Sequence, residues 1–348
     1  MSWRGIALIL ASGVSSLAGQ EQPPGPTSEK AQKTFQDAVE LEKKHMTLWA
    51  LDGFKKADKQ DGGHCIACQN KMVKYGIELR DWKVAEMAAT ALVTEAQGDR
   101  AMAIAHYHLG RVLLAEGTDK KKDEMFTRVH EEMTKALAAS EKFPAAIYSD
   151  GLALAHLKQD DAAKLRFEQF AKMRPADDPD RQRALRFASQ PELARARMAP
   201  PFVVTTTDGR RVSLDDLQGK VVLLDFWATW CAPCREALPH MKDLAKKFEG
   251  QPLVLLSVSL DDDEQKWKDF IAKNGMSWPQ CRDGGFTGPI ANLFAVKAIP
   301  HTFTIDADGV LQDEHIGDAS IEGKIKKLIA RAREVEASTK PSESTPGK

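Results

Sequence analysis

The pair Cys231 and Cys234 is the part of the sequence whose residue types and spacing are best suited to chemistry. The run 220–224 before it is apolar and β-branched, which predicts a strand buried on both faces. Apolar residues at helical spacing follow it and stop at Gly250, which predicts a helix that begins at the cysteines. Cys231 is therefore expected at a helix N-terminus, where unpaired N–H groups and the helix dipole favour a thiolate.

A thiolate at this place has one obvious use. It is the attacking species in thiol–disulfide exchange. Cys234 lies one helical turn further on and is placed to attack a mixed disulfide at Cys231 and release the product. The spacing is thus that of a nucleophilic and a resolving cysteine.

A Cys-x-x-Cys pair can also be half of a zinc site or a structural disulfide. Zinc needs two further ligands at short spacing, usually a second such pair or two histidines about 15–20 residues away. None follows Cys234. The sequence therefore favours redox chemistry without a metal, and no separate cofactor is expected because the Cys231–Cys234 disulfide is itself the redox group.

Asp225 places a carboxyl group inside the apolar strand, six residues before Cys231. A buried acid is costly unless it has a partner or a task, so we expect its side chain in the core beneath Cys234. A desolvated carboxyl group there can exchange a proton with the resolving thiol. The alternative is an aspartate at the end of the strand that faces water or caps the helix.

Aromatic and proline residues complete the neighbourhood. Trp227 and Trp230 flank the cysteines and are expected to give apolar cover, and Trp230 also a docking surface. Pro300 stands just before a predicted strand, which suits a cis peptide bond in a tight turn. His301 follows it, either as a second titrating group near the site or, as we favour, as a partly exposed loop histidine.

With these residues in place, residues of about 199–335 resemble the thioredoxin-fold domain of the exported TlpA/ResA-type thiol–disulfide oxidoreductases. The resemblance rests on Trp230-Cys231-Ala232-Pro233-Cys234, Asp225, Pro239 and Ile299-Pro300. A leading hairpin of 202–206 and 211–214 also fits that family. The implied fold is an α/β thioredoxin fold, a central mixed sheet flanked by helices.

The resemblance also assigns roles. It implies that Cys231 is the nucleophile, Cys234 the resolving thiol and Asp225 the buried acid. Pro300 would be the cis-proline beside the disulfide that aligns the substrate backbone. The remaining residues that the resemblance places at the substrate are Trp230, Pro233 and Ile299.

The residues disfavour two activities that are found in related proteins, those of a peroxidase and of an oxidase. A peroxiredoxin-type peroxidase needs a threonine three residues before its reactive cysteine and a proline further back, but Ala228 and Leu224 hold those places. The Ala-Pro dipeptide between the cysteines lacks the histidine of strongly oxidising relatives, so a reductase or isomerase is favoured over an oxidase. Such an enzyme would act on disulfide-containing client proteins and need an electron donor, for which a membrane thiol reductase is a candidate.

The chain of 348 residues is long enough for two domains, and its 49 basic and 50 acidic residues leave no case for nucleic acid as a partner. Arg4 precedes a short apolar stretch with small residues at 16 and 18, which predicts a signal peptide over 1–18 and export to the periplasm or cell envelope of a bacterium. A linker over 19–27 and a disordered tail over 337–348 are expected from their composition.

Residues 28–195 are helical by composition, and 196–336 form the thioredoxin-like domain. Gly76 and Gly110 are 34 residues apart, which is the tetratricopeptide period, so the helical part is predicted as all-α tetratricopeptide-like repeats. The whole chain is therefore predicted as multidomain, with these repeats before the α/β domain. A further copy begins at Gly151, after an insertion placed around 117–125. The clearest copy has its packing residues at Gly151, Ala163, Phe167 and Pro175.

Stacked helix pairs of this kind make a groove that suits a peptide or a partner protein. Two alternatives stay open. The helices can be an irregular bundle without a binding function, or the chain can be a tetratricopeptide-repeat scaffold in which the thioredoxin-like domain is an accessory module.

A second pair, Cys65 and Cys68, lies in the helical half. A structural disulfide at the start of a repeat helix is the favoured interpretation, with a second redox pair and a metal site as alternatives. A c-type haem would need a histidine where Gln69 stands. Cys281 is left unpaired by count and is expected to be an inert thiol in a loop.

Overall fold

The structure is a computed structural model that describes residues 24–44, 46–317 and 321–339. The chain divides into two compact units, one up to Arg195 and one from Ala196. The predicted signal peptide over 1–18, most of the linker over 19–27 and the tail beyond 339 lie outside the described residues.

The first unit is helical throughout the part that the structure describes, which confirms its predicted class. Its helices are α1 Glu29–Lys43, α2 Thr47–Gln60, α3 Ile66–Leu79, α4 Trp82–Glu95, α5 Asp99–Lys120, α6 Asp123–Ala139, α7 Pro144–His156, α8 Asp160–Lys172 and α9 Pro179–Ser189. Consecutive helices pack in pairs, α1 with α2, α3 with α4, α5 with α6 and α7 with α8. The longer spacing between Gly110 and Gly151 is taken up by longer helices α5 and α6 rather than by an inserted loop.

Small residues lie where paired helices approach most closely. A Cβ atom on Gly76 of α3 would stand 2.8 Å from Ala85 Cβ of α4, and one on Gly151 of α7 would stand 2.8 Å from the Phe167 ring of α8. The glycines singled out by the 34-residue spacing thus do occupy helix–helix contacts. Whether the pairs form a tetratricopeptide array stays a prediction.

The second unit is an α/β fold whose mixed sheet confirms the predicted class. Its strands are β1 Val203–Thr205, β2 Arg211–Ser213, β3 Val221–Trp227, β4 Leu253–Ser259, β5 Gln280–Arg282, β6 His301–Ile305 and β7 Leu311–Ile316. Its helices are α10 Ala232–Lys247, α11 Glu264–Asn274, α12 Pro289–Leu293 and α13 Glu322–Thr339. Helix α13 therefore continues three residues into the segment predicted as a disordered tail from 337.

The main sheet has the strand order β5-β4-β3-β6-β7, with β3 parallel to β4 and antiparallel to β6. Strands β1 and β2 form a separate antiparallel hairpin, as the sequence predicts. Every residue of β3 is buried, because this strand has a neighbour on each edge and its side chains are covered on each face. The carboxyl end of β3 therefore offers a rigid support for the residues that follow it.

Candidate active site

The Cys231–Cys234 pair lies where β3 runs into α10. Cys231 is the N-cap residue of α10, and its Sγ accepts a hydrogen bond from the Cys234 N–H at 3.2 Å. The two cysteines form a disulfide bond and are only 5% and 7% exposed. A thiolate formed at Cys231 would keep this N–H donor and the favourable end of the helix dipole, and both stabilise the thiolate over the thiol.

Asp225 lies inside β3 with its carboxyl group buried, rather than at the strand end facing water. It lines one pocket together with Cys234 and Pro300, so the structure brings these three predicted site residues together. Burial raises the pKa of Asp225 to about 6, against a hydrogen bond from Ser257 that lowers it. A carboxyl group with this pKa can both hold and release a proton near neutral pH.

Two residues that the sequence analysis did not single out support this carboxyl group. Ser257 Oγ donates to Asp225 Oδ2 at 2.9 Å, and Trp278 Nε1 donates to Ser257 Oγ at 2.9 Å. The three side chains form one chain of hydrogen bonds from Trp278 to the acid. Ser257 stands opposite Asp225 in the register of β3 and β4, so only the sheet pairing reveals the contact.

A second buried acid holds the loop before Cys231. Asp261, just after β4, accepts from the Thr229 N–H at 2.9 Å and from Thr229 Oγ1 at 2.6 Å. Ser259 Oγ donates to the same carboxylate at 2.7 Å. These bonds fix the peptide two residues before the nucleophile. Sequence reasoning missed Asp261 because it stands 32 residues from Thr229.

The predicted substrate-side residues differ in exposure. Trp230 is 57% exposed and its ring centroid lies 6.5 Å from that of Phe286, which is 38% exposed. Pro233 is exposed in the first turn of α10, next to the cysteines. Ile299 is half-buried, and the peptide bond between Ile299 and Pro300 is cis. Trp230 and Phe286 thus offer an apolar aromatic surface on the side of the cysteines that faces solvent.

His301 is not the partly exposed loop histidine that we favoured from the sequence. It is the first residue of β6, only 2% exposed, with its ring stacked on Phe303 at a centroid distance of 4.3 Å. Its Nε2 lies 3.3 Å from Glu314 Oε1. Burial would raise the pKa of Glu314, but the contact with His301 and a hydrogen bond from Arg197 bring that pKa below its usual range. The prediction was wrong because β6 begins directly after Pro300 and takes His301 into the sheet.

The other three cysteines are not among the residues that line this pocket. Cys65 and Cys68 form a disulfide bond at the start of α3 and are fully buried. Cys281 lies in strand β5 rather than in the predicted loop, and burial raises the pKa of its thiol to about 12. Within the described residues, no cluster of His, Cys, Asp and Glu is arranged to hold a metal ion.

A mixed sheet with a Cys-x-x-Cys pair at a strand-to-helix junction, a buried acid beneath it and a cis-proline beside it defines a thioredoxin-like thiol–disulfide oxidoreductase. The model of the AhpC/TSA family matches residues 196–314. Thiol-disulfide oxidoreductase ResA of Bacillus thuringiensis is 33% identical over 145 residues, which are 41% of this chain and 83% of the relative. The chain belongs, through its second unit, to the family of ResA-type thiol–disulfide oxidoreductases.

Other known proteins are similar to the chain over a comparable length. The thioredoxin-like protein YneN of Bacillus subtilis is 33% identical over 139 residues, which are 39% of this chain and 79% of the relative. Among solved structures, a thiol-disulfide oxidoreductase from Bacteroides fragilis is 30% identical, covers 38% of this chain and 98% of its own, and superposes with a TM-score of 0.35.

Proposed function

We propose that this protein is an exported enzyme that reduces or isomerises disulfide bonds in client proteins of the bacterial cell envelope, through the Cys231–Cys234 pair. The observation that carries the proposal is the shared pocket of Asp225, Cys234 and Pro300 behind a cysteine that caps a helix. In this proposal Asp225 is the proton acceptor, Cys234 the resolving thiol and Pro300 the proline that aligns the substrate. Cys231 stands at the helix end that favours its thiolate.

The reaction starts from the reduced pair. The Cys231 thiolate attacks one sulfur of the client disulfide, a mixed disulfide forms, and the other client sulfur leaves as a thiolate. Cys234 then loses its proton to the Asp225 carboxylate and attacks Cys231 Sγ, which releases the second client sulfur. The client gains two electrons, and the enzyme leaves as the Cys231–Cys234 disulfide until an external dithiol reduces it again.

The pKa of Asp225 suits this step. At about 6, it leaves the carboxylate ionised at neutral pH and thus able to accept the Cys234 proton, while its protonated form stays accessible for the reverse direction. The exposed Trp230, with Phe286 beside it, supports a client segment docked on the solvent side of the disulfide. The Ala-Pro dipeptide between the cysteines favours the reducing direction.

Export rests on the predicted signal peptide over 1–18, which also requires an electron donor outside the cytoplasm, such as a membrane thiol reductase. None of the described helices has the length and apolarity to cross a membrane. For the helical unit we propose a role in binding a client or partner protein, supported by the tight pairing of its helices at Gly76 and Gly151.

The test is reduction of insulin disulfides by the full chain with dithiothreitol as electron source. Wild type should accelerate the reaction, and Cys231→Ser should abolish the acceleration. Cys281→Ser is the matched control, because Cys281 is not among the residues that line the pocket and should leave the rate unchanged. Equal rates for wild type and Cys231→Ser would refute the enzyme assignment.

A second experiment identifies clients and direction. Cys234→Ala removes the resolving thiol, so mixed disulfides at Cys231 should accumulate with clients from an envelope extract. A measured reduction potential near that of thioredoxin, about −270 mV, supports a reductase, and one near −120 mV an oxidase. No trapped species with Cys234→Ala would favour the scaffold alternative instead.

A further inference from the structure

In the helical unit, the Cys65–Cys68 pair has the same local arrangement as the Cys231–Cys234 pair of the second unit. Cys65 is the N-cap residue of α3, and its Sγ accepts from the Cys68 N–H at 3.1 Å. A Cys65 thiolate would therefore have the same helix-end stabilisation that a redox-active cysteine uses. This pair differs in one respect, because both its residues are fully buried.

An acid also stands beside this pair. Asp58 Oδ1 accepts from the Cys65 N–H at 3.2 Å and from Gln69 Nε2 at 3.4 Å. Burial raises the pKa of Asp58, against these hydrogen bonds, which lower it. Gln69 Nε2 also donates to the Gly63 carbonyl at 2.7 Å and so ties the loop before Cys65 to the helix. Asp58 thus holds the backbone of the first cysteine and the Gln69 side chain in place around the turn.

A short segment near the start of α1 is hydrogen-bonded to the turn that carries this pair. Residues 24–28, which we call the strap, run along the Cys-x-x-Cys turn, and the Pro24 carbonyl accepts from the N–H of Ala67, between the two cysteines. Pro26 is buried. At the other end of the strap, Asp61 Oδ1 accepts from Thr27 N–H and Oγ1, each at 2.8 Å, and from Ser28 N–H at 2.9 Å. One carboxylate thus anchors the strap beside the disulfide.

We propose that Cys65 and Cys68 form a second thiol–disulfide exchange site, closed by the strap that Asp61 anchors. Its substrate class is a dithiol that reaches the pair when the strap lifts. This inference does not depend on the proposed function of Cys231 and Cys234.

The exchange is balanced in two steps. A thiolate of the dithiol attacks Cys65 Sγ, and the S–S bond breaks with Cys68 leaving as a thiolate that takes up a proton from solvent. The second thiol of the dithiol then attacks the mixed disulfide and releases Cys65. Two electrons and two protons pass to the cysteine pair, and the dithiol leaves as a disulfide.

The strap and the redox state are coupled in both directions. If the docked strap shifts the equilibrium between the disulfide and the two thiols, reduction of the disulfide loosens the strap by the same factor, because the coupling free energy is reciprocal. A purely structural disulfide, by contrast, would be reduced only when the helices around it unfold.

The test measures the redox state of each pair in the full chain during incubation with dithiothreitol in native buffer. After quenching and differential alkylation, trypsin releases Cys65 and Cys68 in peptide 60–71 and the other pair in a separate peptide, 221–235. Asp61→Ala should speed reduction of peptide 60–71 about tenfold or more, because three hydrogen bonds to a charged group hold the strap. The rate for peptide 221–235 should stay unchanged.

Asp52→Ala is the matched control, since Asp52 is an exposed aspartate of α2, the helix that ends just before Asp61, and its ion pair is with Lys55. In Asp52→Ala, the Cys65–Cys68 disulfide should be reduced at the wild-type rate. Asp61→Asn keeps a side-chain oxygen for Thr27 and Ser28 and should recover most of the protection. Equal rates for wild type and Asp61→Ala, with both chains folded by circular dichroism, would overturn the proposal.

Thr27→Val serves if Asp61→Ala does not fold. It removes only the Oγ1 hydrogen bond to Asp61 and leaves the two backbone N–H donors in place. A faster reduction of peptide 60–71 in Thr27→Val supports a strap that gates the pair, and an unchanged rate argues for a disulfide that is structural only.

Discussion

Asp225 and Ser257 face each other across the parallel strands β3 and β4, and Ser257 Oγ donates to the Asp225 carboxylate at 2.9 Å. The Asp225 carboxylate has lost almost all of its contact with water through burial. The hydrogen bond from Ser257 is the interaction that the protein provides in place of that contact. It does not offset burial, so the pKa of Asp225 lies at about 6 rather than at 3.8. The acid is thus held in the pH range where thiol chemistry operates, and several measurable consequences follow from its position.

The first consequence concerns stability. Below about pH 4, Asp225 is protonated in both the folded and the unfolded chain. Between about pH 4 and 6 the unfolded chain ionises first, so folding free energy is lost, and the loss of about 3 kcal/mol is complete above the folded pKa. Asp225→Asn removes this loss, so its stability relative to wild type should rise from pH 4 to 6 and then level off.

Denaturant unfolding of both chains, oxidised, at pH 4, 5, 6 and 7 measures this difference. Asp52→Asn is the control, because its side chain is exposed and should give no such trend. A difference between Asp225→Asn and wild type that is the same at every pH would contradict the raised pKa.

The second prediction concerns Ser257. Ser257→Ala removes the hydrogen bond that lowers the pKa of Asp225, so that pKa should rise by about one unit. The Asp225-dependent limb of the pH profile of insulin reduction should move to higher pH by the same amount. Ser189→Ala, in the helical unit, should leave the profile in place. An unmoved limb in Ser257→Ala would show that Ser257 does not set the pKa of the acid.

The third prediction concerns Asp261 as a positioning residue, which acts on Cys231 through Thr229. Asp261→Ala frees the Thr229 peptide, and insulin reduction should slow by about tenfold, because two of the lost hydrogen bonds order the loop before the nucleophile. The midpoint pH of the alkylation rate of Cys231 by iodoacetamide should change as well. A loss of global stability alone would not move that pH.

Two further variants separate the effect of ordering the loop at Thr229 from the effect of the negative charge on Asp261. Asp261→Asn removes the charge but keeps one side-chain acceptor, so it should recover part of the rate. Asp262→Ala changes an exposed neighbour and should behave as wild type. If Asp261→Ala keeps both the wild-type rate and the wild-type alkylation profile, Asp261 has only a structural role.

These residues also mark how far the sequence can predict the site. The strand before Cys231 and the helix after it follow from local patterns, because hydrophobic periodicity is a property of neighbouring residues. The burial of Asp225 follows from its apolar flanks. Ser257 lies in β4 and Asp261 just after it, each 32 residues beyond the group it contacts, and their roles depend on sheet register that no local pattern encodes.

His301 shows a different limit. A histidine after a proline is typical of a loop, since proline lacks the N–H that a strand interior needs. Here Pro300 lies just outside β6, and His301 begins the strand and stacks on Phe303. In the helical unit, glycine spacing located the close helix contacts, because only a residue without Cβ fits there, but it did not reveal that α5 and α6 absorb the extra residues as longer helices.

The fourth prediction concerns Cys281. Its thiol is buried in β5 with a pKa of about 12, raised by burial first and by Asp283 second. The thiolate needed for alkylation is therefore scarce at pH 8. In the reduced folded chain, iodoacetamide should modify Cys231 within minutes and leave Cys281 unmodified, and peptide mass spectrometry reads both. Modification of Cys281 at a comparable rate would show that β5 opens readily at this edge of the sheet.

The fifth prediction compares two glycines of the helical unit that differ in what surrounds them. A Cβ on Gly76 would stand 2.9 Å from the backbone N of Ala85, whereas one on Gly110 would meet only the flexible end of Met133 at less than 3 Å. Gly76→Ala should therefore destabilise the unit by about 1–3 kcal/mol, because α3 and α4 must move apart. In Gly110→Ala the Met133 side chain can turn away, and the helix gains the better propensity of alanine, about 1 kcal/mol. Thermal unfolding followed by circular dichroism should rank Gly76→Ala well below Gly110→Ala, and the reverse order would mean that the α3–α4 pair is not packed as described.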